Sequence, residues 1–208
     1  MRRIIGLCAA LAAAAAPALA LQAGAGAPFA PPTPMIDAGR AKSGARSVAR
    51  TFTLNGWHGT LEKTTFDEVR KRFGGQVARQ GDAGESLAWL CYDLPARHLR
   101  VWLTAGELHI QLHQIDGVTI WSVPTPANSP SCPVPPGREA ADIDGISPGQ
   151  DTASVVARLG TPGFAKDSWL AYRHEAPAGG DYTESDALTV NSEKGRVSHL
   201  QASRVTAN

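Results

Sequence analysis

Apolar residues recur every three to four positions in two short stretches of this chain and every second position in several others. In the first stretch Phe66, Val69 and Phe73 fall on one side of a helix. Thr64-Thr65-Phe66-Asp67-Glu68 opens it with a Thr cap and an acid three residues later, and Gly74 stops it. In the second, Val155, Val156 and Leu159 form the stripe. Here Ser147 is the expected cap, Pro148 the first helical residue and Gln150 the third, with Gly160 and Pro162 ending the helix.

After each helix the period falls to two. Ser86 to Leu94 reads as a strand; Leu99, Val101 and Leu103 alternate with His98, Arg100 and Trp102. Leu108, Ile110 and Leu112 alternate with His109, Gln111 and His113, which predicts another strand, and Val118 to Val123 supplies the next. Ala105-Gly106 and Asp116-Gly117 are expected turns. Trp169 to His174, Leu188 to Ser192 and Val197 to Val205 repeat the behaviour, with Glu193-Lys194-Gly195-Arg196 as a tight connection.

The two halves also resemble each other residue by residue. Val69-Arg70-Lys71-Arg72-Phe73-Gly74 and Trp89-Leu90-Cys91-Tyr92 align with Val155-Val156-Ala157-Arg158-Leu159-Gly160 and Trp169-Leu170-Ala171-Tyr172. Both read V-x-x-R-(F/L)-G, a gap, then W-L-x-Y, which favours an internal duplication. The expected fold class is α+β, with two tandem repeats over 51–123 and 145–208. Each is a helix packed on an antiparallel meander of three to four strands. The prolines between Pro124 and Pro136 mark a linker over 124–144, and the Ala, Gly and Pro-rich 21–50 reads as a flexible leader.

The N-terminus changes the picture of compartment. Met1-Arg2-Arg3, the apolar run Ile4 to Ala16 and Ala18-Leu19-Ala20 read as a cleavable secretory signal over 1–20, too short for a comfortable membrane span. Leu7 before Cys8 is bulky where lipoprotein processing wants a small residue, so no acylation is expected. Cleavage would remove Cys8 and leave Cys91 and Cys132, expected to form a disulfide in a periplasmic or secreted protein. With 20 Lys plus Arg against 19 Asp plus Glu, the chain shows no basic excess, and nucleic acid is set aside as a partner.

The segment Gly145-Ile146-Ser147-Pro148-Gly149-Gln150, then Val155-x-x-x-Leu159-Gly160-x-Pro162 and Trp169-x-x-Tyr172, resembles the SmpA/OmlA (BamE-like) module. The likeness covers most of 144–208 and, more loosely, 51–123. Related modules in tandem build the beta-lactamase inhibitor protein. The resemblance implies a non-enzymatic envelope protein that recognises another protein, but no contact residue transfers by motif.

Sites of chemistry are few. His109 and His113 have the spacing of a helical metal pair, but on a strand they would stand about 13 Å apart, so no metal is expected. Gly84-Glu85-Ser86-Leu87-Ala88 faintly resembles a nucleophile elbow, yet a helix precedes it and a strand follows, the reverse of that motif. Neither glycine pair, Gly74-Gly75 or Gly179-Gly180, has the order of a phosphate loop, and Asp142 and Asp144 are too few for a calcium loop. No catalytic residue and no cofactor is expected. The residues that stand out are His98, Arg100, Trp102, His109, Gln111, His113 and Trp121, expected on one sheet face suited to docking a protein, since Trp and Arg dominate interface energetics. The competing expectation is that the linker, the leader or the second repeat covers that face and Trp102 is packing. The functional expectation is an envelope protein-binding module without catalysis, its partner and oligomeric state undetermined. The alternatives are a small periplasmic hydrolase using Asp82 or Glu85 with a distant His, or a glycan or peptidoglycan binder.

Overall fold

The computed structural model describes residues 29–33, 36–44, 46–82, 86–124 and 129–208. The signal expected over 1–20, and Gly84 and Glu85 of the elbow-like stretch, lie outside the described residues. In chain order the elements are β1 (Thr51–Leu54), β2 (Trp57–Thr60), α1 (Phe66–Phe73), β3 (Ala78–Gln80), β4 (Leu87–Leu94), β5 (Leu99–Gly106), α2 (Glu107–Ile110) and β6 (Gly117–Ser122). There follow β7 (Ala141–Ile143), α3 (Thr152–Leu159), β8 (Phe164–Lys166), β9 (Trp169–Gly179), β10 (Tyr182–Glu193) and β11 (Arg196–Ala207).

The chain is therefore mixed and strand-rich, as the α+β expectation requires, with two antiparallel sheets. β2-β1-β7 form the small one, and β3-β4-β5-β6-β11-β10-β9-β8 the large one. Whether the strands of the two halves would join was open in the sequence. They do, through β6 and β11, where Ile120 faces Leu200 and Val118 faces Ala202.

The core lies on one face of the large sheet. Leu90, Tyr92, Val101, Leu103, Ile120, Leu188, Val190 and Leu200 meet Phe66, Val69 and Phe73 of α1, Val155 of α3, and Phe52, Leu54 and Ile143 of the small sheet in one buried cluster. Edge-to-face rings join the layers: Phe52 to Trp57, Trp57 to Phe73 and Phe73 to Tyr92, each with centroids 6.0 Å apart. Gly59 of β2 is needed for this approach, because a Cβ there would fall 2.2 Å from the Phe52 ring.

Local signals place α1 as expected. Thr65 accepts from the Glu68 amide, the Glu68 carboxylate accepts from the Thr65 amide, and Gly74 caps the end at φ +74°. Helix α3 starts four residues later than its sequence suggests, with Asp151 rather than Ser147 as cap. The amides of Gly149 and Thr152 donate to the carbonyls of Val197 and Gly195, and the Val197 amide donates to Gln150. Those bonds hold 147–150 as a turn against β11, with Gly149 at φ +91°.

The strand expected over 108–112 is absent: α2 and a turn occupy it. Its alternation is also inverted, since His109 is buried while Leu108 and Leu112 are 62% and 61% exposed. The leader is a second difference. Val48 and Ala49 belong to the main core, and Ile36 and Ala41 pack on Ala171 of β9.

Candidate functional site

The opposite face of the large sheet carries the alternate residues of every strand, and register decides which of them meet. Asp93 pairs with Arg100, Arg100 with Trp121, Trp121 with His199, His199 with Asn191 and Asn191 with Trp169. One row of side chains thus crosses β4, β5, β6, β11, β10 and β9. The neighbouring row runs Cys91, Trp102, Thr119, Gln201, Thr189 and Ala171. Directly opposed side chains on one face lie close enough to interact, so each row is a continuous surface.

Two parts of this face are covered. At the β4–β5 end, Trp89, Cys91 and Trp102 form a second buried cluster with Cys132 of the linker and Phe29 of the leader. Cys91 and Cys132 sit at disulfide distance, their Cα atoms 4.6 Å apart. The Trp102 indole N–H donates to the Phe29 carbonyl at 2.7 Å, and Trp102 is only 5% exposed. Arg100 is 8% exposed, bonded through Nε and Nη2 to the Asp93 carboxylate at 2.6 and 3.1 Å, with its guanidinium 4.1 Å from the Phe29 ring centroid. At the other end Ile36 and Ala41 cover Ala171.

Between these covers Trp121, His199 and Trp169 are half-buried. The His199 ring meets Trp121 edge-on at 4.2 Å and Trp169 at 6.2 Å, so an imidazole stands between two indoles. Its Nδ1 lies 2.8 Å from the Ser198 hydroxyl. Burial pushes the His199 pKa below 6.5, with Glu193 opposing. A proton then binds the unfolded chain more readily than the folded one, so this group's stabilising contribution is present above pH 6.5 and is lost as pH falls through the lowered value. Melting temperatures across this range should therefore decline less on acidification in His199→Gln than in the wild type. An equal decline in both would remove His199 as the source.

The seven residues singled out in the sequence do not form one face. Arg100, Trp102 and Trp121 share the outer face, but Arg100 and Trp102 lie under Phe29. The expectation that leader and linker cover Trp102 is the one the packing matches. His98 ends a 3-10 turn ahead of β5 at φ +52°, its Nδ1 3.1 Å from the Pro124 carbonyl. Gln111 and His113 are exposed on the turn after α2, and His113 lies 3.7 Å from Asp67 of α1. His109 is buried, its Nε2 3.1 Å from Glu62 and its Nδ1 3.2 Å from Asp116. Of the residues considered for hydrolysis, Asp82 is exposed and Ser86 immediately precedes β4.

His109 belongs to a network the sequence did not indicate. Arg204 of β11 contacts Glu62 at 3.3 Å, Asp186 at 2.9 Å and Glu184, while the Thr206 amide and hydroxyl donate to Glu62 at 2.6 and 2.8 Å. Burial pushes the Asp116 carboxyl up, opposed by the Gly106 amide and the His109 ring. These residues lie too far apart in sequence for spacing to signal them. What they do is tie the end of β11 to α2 and to the turn after β2. Among the described residues, no group of three or more His, Cys, Asp or Glu side chains is placed to hold a metal ion, and no helix is long and apolar enough to cross a membrane.

No family model, curated protein or solved structure matches this chain.

Proposed function

We propose that the protein is an exported protein-binding module of the cell envelope, without catalysis of its own, whose contact surface is the Trp121, His199 and Trp169 row. The observation that carries this reading is the row itself. Two half-buried tryptophans flank a histidine on a sheet face covered on either side by the chain's own leader and linker. Tryptophan in a partly desolvated setting is the residue type that contributes most to association. The contact so proposed keeps Trp121 from the set of seven and replaces the enclosed Arg100 and Trp102 with His199 and Trp169.

Three further observations support the setting. The N-terminal segment has the basic, apolar and small-residue order of a secretory signal. Cys91 and Cys132 at disulfide distance fit an oxidising compartment. The tandem, SmpA/OmlA-like organisation is favoured by the order of elements, since α1 and α3 are each followed by four strands that enter the large sheet in mirrored order. Duplication would explain why the sheet centre falls where the two halves meet, and why an aromatic row spans both.

The test compares capture from solubilised envelope extract by the wild type with capture by Trp121→Ala and Trp169→Ala, each checked for an unchanged melt. Any protein recovered is purified and its Kd measured. Each variant should weaken binding by about 2 kcal/mol, roughly thirty-fold. Equal affinity of the wild type and both variants would sink the assignment of the row, and retention of purified peptidoglycan in place of a protein would favour glycan recognition.

A further inference from the structure

Where the leader runs beside Arg173 of β9, it and the end of α3 border a partly open cavity of about 360 Å³. Lys42, Arg46, Arg158 and Arg173 line it, and among the described residues no acidic side chain does. This concentration of positive charge stands out in a chain of near-zero net charge. Two of the cations are committed in part: Arg173 to Glu175 and the Gly39 carbonyl, Arg158 to the Asp144 carbonyl. Lys42 and Arg46 have no ion-pair partner among the described residues. Val48, Ala157 and Leu159 supply an apolar wall.

A second observation points to the same place. Tyr172 also lines the cavity; the residue is 4% exposed, and its hydroxyl is buried without a hydrogen-bond partner. Buried hydroxyls are normally satisfied, and an unpaired one carries its full desolvation penalty. The tyrosine of the other W-L-x-Y segment shows the satisfied arrangement: the Tyr92 hydroxyl donates to the Gly74 carbonyl at the end of α1, at 2.7 Å. Gly160, which ends α3, lines the cavity, yet Tyr172 makes no such bond. The lining thus brings cationic side chains and a buried, unpartnered hydroxyl to one partly open cavity with no carboxylate among its described lining residues.

The geometry points to a binding site for a small organic oxyanion, its carboxylate or phosphate head held by Lys42, Arg46 and the Tyr172 hydroxyl and its short apolar part against Val48 and Leu159. Arg158 adds to the positive field of the site, whereas the Arg173 guanidinium is taken up by Glu175 and the Gly39 carbonyl. A charged acceptor is the complement of such a donor set, because bonds from cationic donors to an oxyanion are roughly twice as strong as neutral ones. The site goes beyond the protein-binding reading and shares no residue with the aromatic row.

Titration of the purified protein with inorganic phosphate and, separately, with butanoate, followed by amide shifts around Gly44, Thr161 and Gly163, tests the assignment. At least one probe should bind with a Kd of about 1 mM or tighter, and Arg46→Ala and Tyr172→Phe should each weaken it about ten-fold with unchanged melts. Tighter binding of phosphate would identify a phosphorylated ligand, and tighter binding of butanoate a carboxylic acid with an apolar chain. Failure of both probes to bind, or binding that both variants leave unaltered, would overturn the site. If Tyr172→Phe fails to fold, Arg46→Ala and Lys42→Ala decide alone, since both alter exposed side chains.

Discussion

Trp102→Ala should destabilise the protein by about 3–5 kcal/mol, the range for removing a large buried aromatic. The indole is enclosed by Trp89, Cys91, Cys132 and Phe29, so truncation leaves a cavity that Cys91 and Cys132, held at disulfide distance, could not readily close. It also strands the Phe29 carbonyl that accepts from the indole N–H. For a chain of this size the melting temperature should fall by roughly 6–20 °C. Trp102→Phe, which keeps most of the volume but not the donor, should lose less. Thermal unfolding of the three proteins checks the ordering. An unaltered melt in Trp102→Ala together with weakened capture of a partner would contradict the enclosed placement and return Trp102 to the contact surface.

Opening the Cys91–Cys132 link should lower stability by about 3–4 kcal/mol by the chain-entropy argument for the loop it closes. The two residues are 41 apart, and the intervening chain includes β5, α2 and β6. Urea unfolding of wild type and of the Cys91→Ala/Cys132→Ala double variant measures the difference; alanine avoids putting hydroxyls into an apolar cluster whose cysteines are 2% and 0% exposed. The same opening frees the linker from the outer face, so Trp102 fluorescence should shift toward that of a wetter indole. Thiol titration of the denatured, unreduced protein supplies a direct check. None should react, and two reactive thiols would show that the link does not form.

The enclosed Trp102 also accounts for what sequence reasoning could and could not see of the site. Alternation along β5 is enough to put Arg100 and Trp102 opposite Leu99, Val101 and Leu103, and the packing of the last three into the core agrees, whereas His98 falls in the left-handed turn before the strand. Alternation carries no information on what covers the other side. Phe29 lies 73 residues from Trp102, in a segment whose composition suggests no fixed structure. Likewise His199 and Trp169 were each readable as strand residues, but their meeting with Trp121 depends on the register of β6 on β11 and β10 on β9. Pairing across 78 residues leaves no mark in local periodicity.

The stretch from Glu107 to His113 shows the same limit in reverse. Its polar and apolar positions alternate as a strand's would, yet His109 points inward, 3.1 Å from Glu62 and 3.2 Å from Asp116, while Leu108 and Leu112 stay exposed. A buried imidazole between two carboxylates is a tertiary compensation for polar burial.

Helix α1, with its Thr cap, its answering acid and its Gly74 stop, the alternating strands of the large sheet and the Cys91–Cys132 pairing were legible in the sequence alone. Capping and alternation act within a few residues, and only two cysteines remain once the N-terminal segment is set aside. The start of α3, the helical turn at His109, the burial of Arg100 and Trp102, the aromatic row and the cationic cavity were decided by the tertiary structure. Each depends on a hydrogen bond, an ion pair or a packed ring contributed by a distant segment, and the energies of such contacts exceed the local preferences they override.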